Sequence, residues 1–571
     1  MVDNPIIVDI GYTNSDIRAL TQQMGELKTE SKFLFSYPTV YIINTEKKSR
    51  EYAVYVGETN DIVRRTKEHI NVDKRDDWLE INSTVNSRMY IIGHKHFNKS
   101  LTLDIENRLM LFLTSVPHVK TVFNRRTNQQ GDYYTSTEVN EIFSKIWRKL
   151  REKNEKLFPL ESIVRDSALF KASPFHKLTD EQKNASVVIK SKVTKSLKDN
   201  NATRNLVIVE GEAGAGKTVL MSNLFYDFQV GQEYEAKKTF LLVNHDQQQK
   251  VYLQIAKKLG INKEYVCKPT HFINTHSEEN KADIVIIDEA HLLLTQGKQS
   301  YRGHNQLEDI VKRARVVVAV FDEKQILTTE QYWDEEELSK LLDHAEEKDN
   351  LIRLKNQLRI NADKETINWI RNFIDNGKIN VIPENDSKNY KIRIFEKASD
   401  LYNEIQEKNR NQKKGISRLV GTYDWEFNRN KLNNQDYWNV NVGDLSIPWN
   451  LQLPVEKAKK INYNDISWAE QPQTINEIGS TYTIQGFDLN YVGVIIGPSV
   501  KYRNGKIVFD PSKSANKKAI RNRTLRDGSK KSFGEMFIKN ELNVLMTRGV
   551  NGLYIFAVDE ELQNMLLRAA K

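Results

Sequence analysis

Cysteine is almost missing: Cys267 is the only one among 571 residues. An intramolecular disulfide and a cysteine-built zinc cluster are therefore excluded, and such usage fits a reducing compartment. Nowhere does the chain hold the ~18 to 20 consecutive apolar residues that a membrane span needs. The opening MVDNPIIVDIGYTNSDIRAL lacks the charged stretch and long apolar run of a secretory signal. The expectation is a soluble cytoplasmic protein with no membrane partner. A strong charge imbalance is lacking too. With 85 basic and 76 acidic residues the net charge is +9, which permits a phosphate-rich partner without demanding one. Internal repeats and long low-complexity tracts are also absent.

The chain does have an apolar fraction of 39%, enough for several cores. Its length suits about three domains of roughly 150 to 200 residues each. Residues 1–32 are polar and irregular and read as a lead-in with a short helix. A small α/β unit is expected over 33–150, followed by a linker containing helix over 151–173. The next block, 174–349, carries the apolar runs LVIVE, TFLLVN, DIVIIDE and RVVVAVFD, each followed by helical sequence. Continuous apolar strands alternating with helices are the mark of a parallel sheet covered on both faces. A second such domain is predicted over 350–571, starting near Leu351, from RLVGTY, YVGVIIG and GLYIFAV. The fold class is therefore α/β throughout. Within the second domain, residues 501–531 hold eleven Lys or Arg against only Asp510 and Asp527. That stretch reads either as a solvated loop or as a basic arm on phosphates.

The segment LVIVEGEAGAGKT matches G-x-x-x-x-G-K-[ST] at Gly211, Gly216, Lys217 and Thr218, with Gly214 inside the loop. A buried strand precedes it and a helix follows, the context the motif requires. Glycines let the backbone wrap phosphate with its N–H groups at a helix N-terminus. Lys217 adds charge at the β- and γ-phosphates, and Thr218 offers a hydroxyl to Mg²⁺. Asp288 and Glu289 close the apolar run IVII, where an acidic pair reaches a phosphate-bound metal. Asp288 is expected to hold Mg²⁺ and Glu289 to polarise the attacking water. Asp322 and Gln325 end the next strand, and Gln325 is placed to sense the γ-phosphate. Arg359 (LKNQLR) and Arg548 (NVLMTRG) are assigned to the second α/β domain, each as an arginine finger across the cleft. Gln182, ahead of the loop, is placed to read the adenine edge.

The motifs GEAGAGKT, IIDEAH, DEKQ, LKNQLR, STYTIQGFDLNYVGVIIG and LMTRG, in this order, resemble superfamily-1 helicases, and most closely the schlafen-type helicase-like NTPases. The resemblance implies two RecA-like motor domains that use ATP and Mg²⁺. It also places Gln485 and Gly486, with Thr483 and Asp488 alongside, in the motif that links ATP to nucleic acid. The literal DEAH at Asp288–His291 also fits a superfamily-2 signature, but the downstream motifs follow the superfamily-1 pattern. Only 71 positions separate Lys217 from Asp288, which leaves no room for a large accessory subdomain. Translocation or ATP-gated clamping is thus implied rather than long-range unwinding.

Residues 39–57, TVYIINTEKKSREYAVYVG, read as a hairpin. The helix DIVRRTKEHI follows, with Asn60 or Asp61 as its cap. Arg65 and His69 are four apart and share a face. Glu106 lies in the mostly apolar helix LTLDIENRLMLFL, where a buried carboxylate needs a cation. These features resemble a GIY-YIG nuclease domain. The triplets are Thr39-Val40-Tyr41 and Tyr55-Val56-Gly57. Arg65 and His69 stand at family offsets, Glu106 matches the single metal-binding carboxylate, and Asn124 matches the closing Asn, with Asn128 competing. The resemblance implies one Mg²⁺ or Mn²⁺ on Glu106 at the scissile phosphate and a phenolate-like Tyr41 or Tyr55 deprotonating water. Arg65 would neutralise the phosphate, and His69 would share proton transfer.

Together these readings predict an ATP-dependent, helicase-like protein with a metal-dependent endonuclease domain that cleaves DNA, a pairing that by family analogy suggests restriction or phage defence. An ATP-gated RNA nuclease and an ATP-switched binding protein with an inactive nuclease domain are the alternatives. A homo-oligomer or a partner subunit is left open.

Overall fold

The structure is a computed structural model. It describes residues 3–23, 31–46, 51–71, 87–123, 133–199, 205–298, 300–410, 415–428, 437–454, 467–525 and 527–571. Contacts divide the chain into two compact units. One is Met1–Thr179 with Ser222–Glu235 and Tyr252–Glu264, and the other is Asp180–Met221, Ala236–Val251 and Tyr265–Lys571.

The first unit is built on a five-stranded sheet of β1 (Ile6–Gly11), β2 (Thr39–Glu46), β3 (Tyr52–Thr59), β4 (Ser87–Gly93) and β5 (Val119–Val122), in the order β1-β4-β2-β3-β5. The predicted hairpin is present. β2 and β3 run antiparallel, with Tyr41 opposite Gly57 and Ile43 opposite Tyr55. Both strands are buried almost end to end, so side chains of either face meet protein rather than water. The helix Ile62–Asn71 follows, and its first turn is capped by the Asp61 carboxylate, which accepts from Arg64 N at 2.9 Å. The helix Lys99–Ser115 begins at Asn98, whose side chain accepts from Leu101 N at 2.9 Å. Nearly all its positions are buried, as a helix apolar on every side demands. It packs against β2, β3 and β5.

One expectation is corrected here. Residues 1–32 are not all lead-in: Ile6–Gly11 is an edge strand that pairs antiparallel with β4, Ile6 opposite Gly93 through Gly11 opposite Arg88. The run IIVDIG is rich in β-branched residues, which suit a pleated surface, and its polar neighbours concealed it.

In the second unit the first sheet is parallel. It consists of β6 (Asn205–Gly211), β7 (Thr239–Val243), β8 (Val266–Cys267), β9 (Ala282–Asp288), β10 (Ala314–Phe321) and β11 (Leu351–Leu354), ordered β11-β6-β10-β9-β7-β8. The second sheet, also parallel, joins β12 (Lys391–Ile394), β13 (Arg418–Gly421), β16 (Ile478–Gly479), β17 (Leu489–Ile496) and β22 (Gly549–Ala557) in the order β12-β22-β17-β13-β16. Three antiparallel hairpins interrupt it: β14 (Asn439–Val442) with β15 (Leu445–Pro448), β18 (Val500–Arg503) with β19 (Lys506–Phe509), and β20 (Arg523–Thr524) with β21 (Lys530–Lys531). The second domain is expected to start near Leu351, but Leu351–Leu354 forms a strand of the first sheet: β11 pairs with β6, Leu351 opposite Ile208 and Leu354 opposite Gly211, and its backbone covers the otherwise bare edge of β6. Among the described residues no helix is long and apolar enough to cross a membrane.

Candidate nucleotide cleft, channel and tyrosine site

The loop after β6 has the shape its glycines allow. Gly214 and Gly216 adopt φ of +92° and +75°, left-handed values that side chains resist. A Cβ at Gly216 would meet Gln182 Nε2 at 2.1 Å, and one at Gly214 would meet Arg359 Cβ at 2.8 Å. The hollow is thus one that a side chain would fill, as a phosphate cradle requires. Gln182 donates its amide to Gly216 O at 3.1 Å, so it braces the loop itself. Lys217 opens the helix Lys217–Val230 and is buried. Its ammonium donates to Gly211 O, to Glu212 O at 2.9 Å and to Asp322 Oδ2 at 3.1 Å. Thr218 stands next to it, half-buried.

A continuous polar relay runs from that lysine into the second sheet's domain. Gln325 donates to the same Asp322 oxygen at 2.6 Å, and Arg548 Nη2 donates to Gln325 Oε1 at 3.2 Å. Burial works against the Asp322 carboxylate, but the charges of Lys217 and His291 and the Gln325 amide hold it below its ordinary range. Arg548 is fully buried between Val544 O at 2.9 Å and Phe487 O at 3.4 Å. Burial and nearby Arg359 lower its pKa to about 9, so it stays charged at neutral pH. Arg548 thus reaches from the second sheet's domain to Gln325 of the first. Arg359 is corrected: it follows β11 of the first sheet and reaches the loop from that sheet's own side. Leu358 N donates to Gly214 O at 2.8 Å, and Arg359 is ion-paired with Asp488.

Asp288, with no exposed surface, ends β9, and its Oδ2 accepts from Gln248 Nε2 at 2.5 Å. Glu289 has φ of +56° and faces His291 Nε2 at 3.2 Å. The Gly486 turn lies against Gln248, whose Oε1 would be 3.7 Å from a Cβ at 486. Gln248 thus lies between the carboxylate at the strand end and the Gln485–Gly486 turn. Sequence reading missed it because a glutamine in the helix Asp246–Lys258 carries no motif.

Gln485 itself lines a channel of about 1390 Å³. From the first sheet's domain come Lys268, His271 and Lys298. From the second come the rings of Tyr423, Phe427, Trp438 and Tyr482. Behind Tyr423, Glu541 is buried and accepts from Tyr423 N at 3.0 Å. Burial and neighbouring Asp424 push the Glu541 carboxyl well up, and burial lifts Asp424 to about 6.

The sequence model of the Schlafen group 3 DNA/RNA helicase domain matches residues 204–559, more than half of the chain. The chain belongs to that family. The nucleotide cleft, the relay and the channel all draw on the matched residues. An uncharacterized Saccharomyces cerevisiae protein, YPL245W, is 33% identical over 405 residues, covering 64% of this chain and 84% of that one. Among solved structures, the PRRSV helicase is 11% identical with a TM-score of 0.28, over 66% of this chain and 56% of that one. A structure of two Pif1 helicases coordinating on forked double-stranded DNA is 14% identical with a TM-score of 0.29, over 68% and 94%. Overlaps that loose carry no argument about this Schlafen-type chain.

Residues 1–203 precede the matched stretch. There the hairpin and the helix Ile62–Asn71 bring Tyr41, Tyr55 and His69 together. Tyr41 OH lies 2.9 Å from His69 Nε2, the two tyrosine rings are 6.0 Å apart, and Tyr55 meets His69 edge-on at 5.6 Å. Arg65 stands by both phenols and pairs with Glu68 at 3.3 Å. A Cβ at Gly57 would lie 2.5 Å from Tyr41 OH, so only bare backbone leaves that ring its place. Burial and Tyr55 push the Tyr41 phenol well above its ordinary value, outweighing Arg65. At rest Tyr41 is therefore a neutral phenol. Glu106 is buried in the helix packed on the strand that carries Tyr55. Among the described residues no group of three His, Cys, Asp or Glu could hold a metal; the Glu106 carboxylate is a hard oxygen donor of the kind suited to Mg²⁺ or Mn²⁺. Asn124 and Asn128 lie outside the described residues.

Proposed function

We propose that the chain is an ATP-dependent translocase or clamp on nucleic acid whose N-terminal unit is a GIY-YIG-type endonuclease, with DNA as substrate. The observation that carries the first half is the unbroken relay Lys217–Asp322–Gln325–Arg548. ATP would lie in the Gly214–Gly216 cradle with Mg²⁺ held by Thr218 and Asp288, the ion neutralising charge on the phosphates. Lys217 then exchanges two carbonyls and Asp322 for phosphate oxygens. Asp322 is left to Gln325 and the Lys324 amide, and the shift reaches Arg548. Glu289, 3.2 Å from His291 Nε2, takes the proton of the attacking water. Gln248, bonded to Asp288 and packed by the Gly486 turn, carries the same event toward a wall of the channel. Nucleic acid lies in that channel, with lysines on one side for phosphates and four aromatic rings on the other for bases.

In the N-terminal unit a divalent ion on Glu106 would supply charge neutralisation at the scissile phosphate. Arg65 adds its guanidinium to that phosphate. Tyr41 takes a proton from the attacking water as it passes its own to His69, whose Nε2 lies 2.9 Å away, and so ends the step as a phenol with the proton on the imidazole.

The test is an endonuclease assay with Mg²⁺ or Mn²⁺, with and without ATP, on linear, circular and single-stranded substrates. Glu106→Ala must abolish cutting while ATP hydrolysis persists. Cutting that survives that change sinks the nuclease reading. Matched DNA and RNA titrated across salt decide the substrate, through affinity and its salt slope.

A further inference from the structure

The basic insertion is the feature the proposed function leaves unused. Its root lies on the second sheet's domain: Ser514 Oγ donates to Tyr423 O at 3.2 Å, Ala515 N to the same oxygen at 2.9 Å, and Tyr482 OH to Asn516 Oδ1 at 3.1 Å. Its far end lies on the first sheet's domain. Arg523 donates to Thr295 Oγ1 at 2.9 Å, to Thr295 O at 3.1 Å and to Thr329 O. Arg521 donates to Thr329 Oγ1 at 2.9 Å and pairs with Glu330. Thr329 Oγ1 donates in turn to Lys518 O at 3.1 Å, and Phe533 stacks on Tyr332 with ring centres 3.8 Å apart.

Glu330 is almost fully buried and holds Lys298 at 3.0 Å as well as Arg521. A buried carboxylate that loses a cation partner is costly, so the docked position is favoured yet can open. Two arginines of the supposed phosphate-binding arm are thus committed to protein. The exposed Lys517 and Lys518 line the channel beside Thr328 and Gln331 of the first sheet's domain and Tyr482 of the second.

We propose that this insertion is a strap forming a third wall of the channel, bridging both motor domains so that a single strand is held by enclosure as well as by contact. Arg521 and Arg523 fasten the strap, and Lys517 and Lys518 face the phosphates. A strand with a free end enters and leaves by threading. A closed circle exchanges only when the Arg521–Glu330 and Arg523–Thr295 contacts release. The inference rests on nucleic acid lying in this channel.

The test uses the full chain with Gln331→Cys and Lys518→Cys, both outside the buried core and both lining the channel on elements that touch. The native Cys267 is buried, so a short bismaleimide joins only the introduced pair. The protein is loaded at low salt on circular or linear single-stranded DNA of equal length, cross-linked, and challenged with about 1 M salt, which screens phosphate contacts. Cross-linked protein is expected to stay on the circle, to slide off the linear strand, and to leave the circle once it is cut. Release from the intact circle as fast as without the cross-link overturns the strap. Failure of the unlinked protein to bind any strand at low salt overturns the channel reading, and the strap with it. As a second measure free of new thiols, Glu330→Gln and Arg521→Ala are expected to raise the ratio of circle to linear release rates by roughly fivefold or more, the scale set by losing a buried ion-pair partner. An unchanged ratio in both overturns the proposal.

Discussion

The nucleotide cleft and the tyrosine site both bury polar chemistry, but they do so in opposite ways. The cleft buries full charges and pairs them: Lys217 on Asp322, Arg359 on Asp488, and Arg548 on carbonyls and an amide. The tyrosine site buries two phenols and an imidazole, with Arg65 beside them, partly exposed. Paired charge in a low dielectric is stable only while partners match, so an arriving triphosphate must rewire the cleft. The phenols and imidazole meet through a hydrogen bond and ring contacts, so the two sites differ in how far an arriving ligand must rearrange them.

The largest effect that would sharpen this contrast is expected from Lys217→Ala. It should cut ATP hydrolysis by roughly 10²- to 10³-fold, the scale of removing a donor from developing charge, as a phosphate-release assay would read. Next comes Glu106→Gln, expected to lower metal-dependent cleavage by about 10²-fold with ATP turnover within about twofold. A parallel fall in ATPase would break the separation of the two sites. Arg548→Lys keeps the charge but loses the fork that spans Gln325 and the carbonyls. It should lower kcat for ATP by roughly tenfold to a hundredfold with little change in KM, in steady-state kinetics. Tyr41→Phe should slow cutting by roughly tenfold, read as the initial rate of strand cleavage.

The smallest effect concerns a third kind of burial, carboxylates crowded together. Asp424 titrates at about 6 in the fold against an ordinary 3.8. Between those values the native state binds more protons than the unfolded chain, so stability falls as pH rises through the window and the loss is complete above it. Asp424→Asn should therefore raise the melting temperature near pH 8 and leave it unchanged near pH 4. With allowance for the partly exposed side chain, about 1 to 2 kcal/mol is expected, measurable by thermal denaturation.

Much of the cleft was legible beforehand because phosphate chemistry dictates spacing: the glycines, Lys217 and the Asp288–Glu289 pair sit at strand ends that apolar runs announce. The hairpin and its tyrosines were legible for the same reason. What escaped notice was pairing between distant segments. β1 and β11 are short edge strands whose partners lie far along the chain, so no local period marked them. Arg359 went to the wrong side because β11 did. The basic insertion has the composition of a free arm, but composition does not disclose that Thr295, Thr329 and Glu330 will accept its arginines. Gln248 had no pattern at all, since its importance comes from touching Asp288.

Gly57 shows how little of a motif the chemistry has to keep. The backbone at that position and the hydroxyl end of Tyr41 compete for one small space, so a methyl group there would displace the ring and open its 2.9 Å approach to His69. Position 57 is thus set by the ring that stands opposite it, and one ring seated in one vacancy is the arrangement that any side chain there would undo.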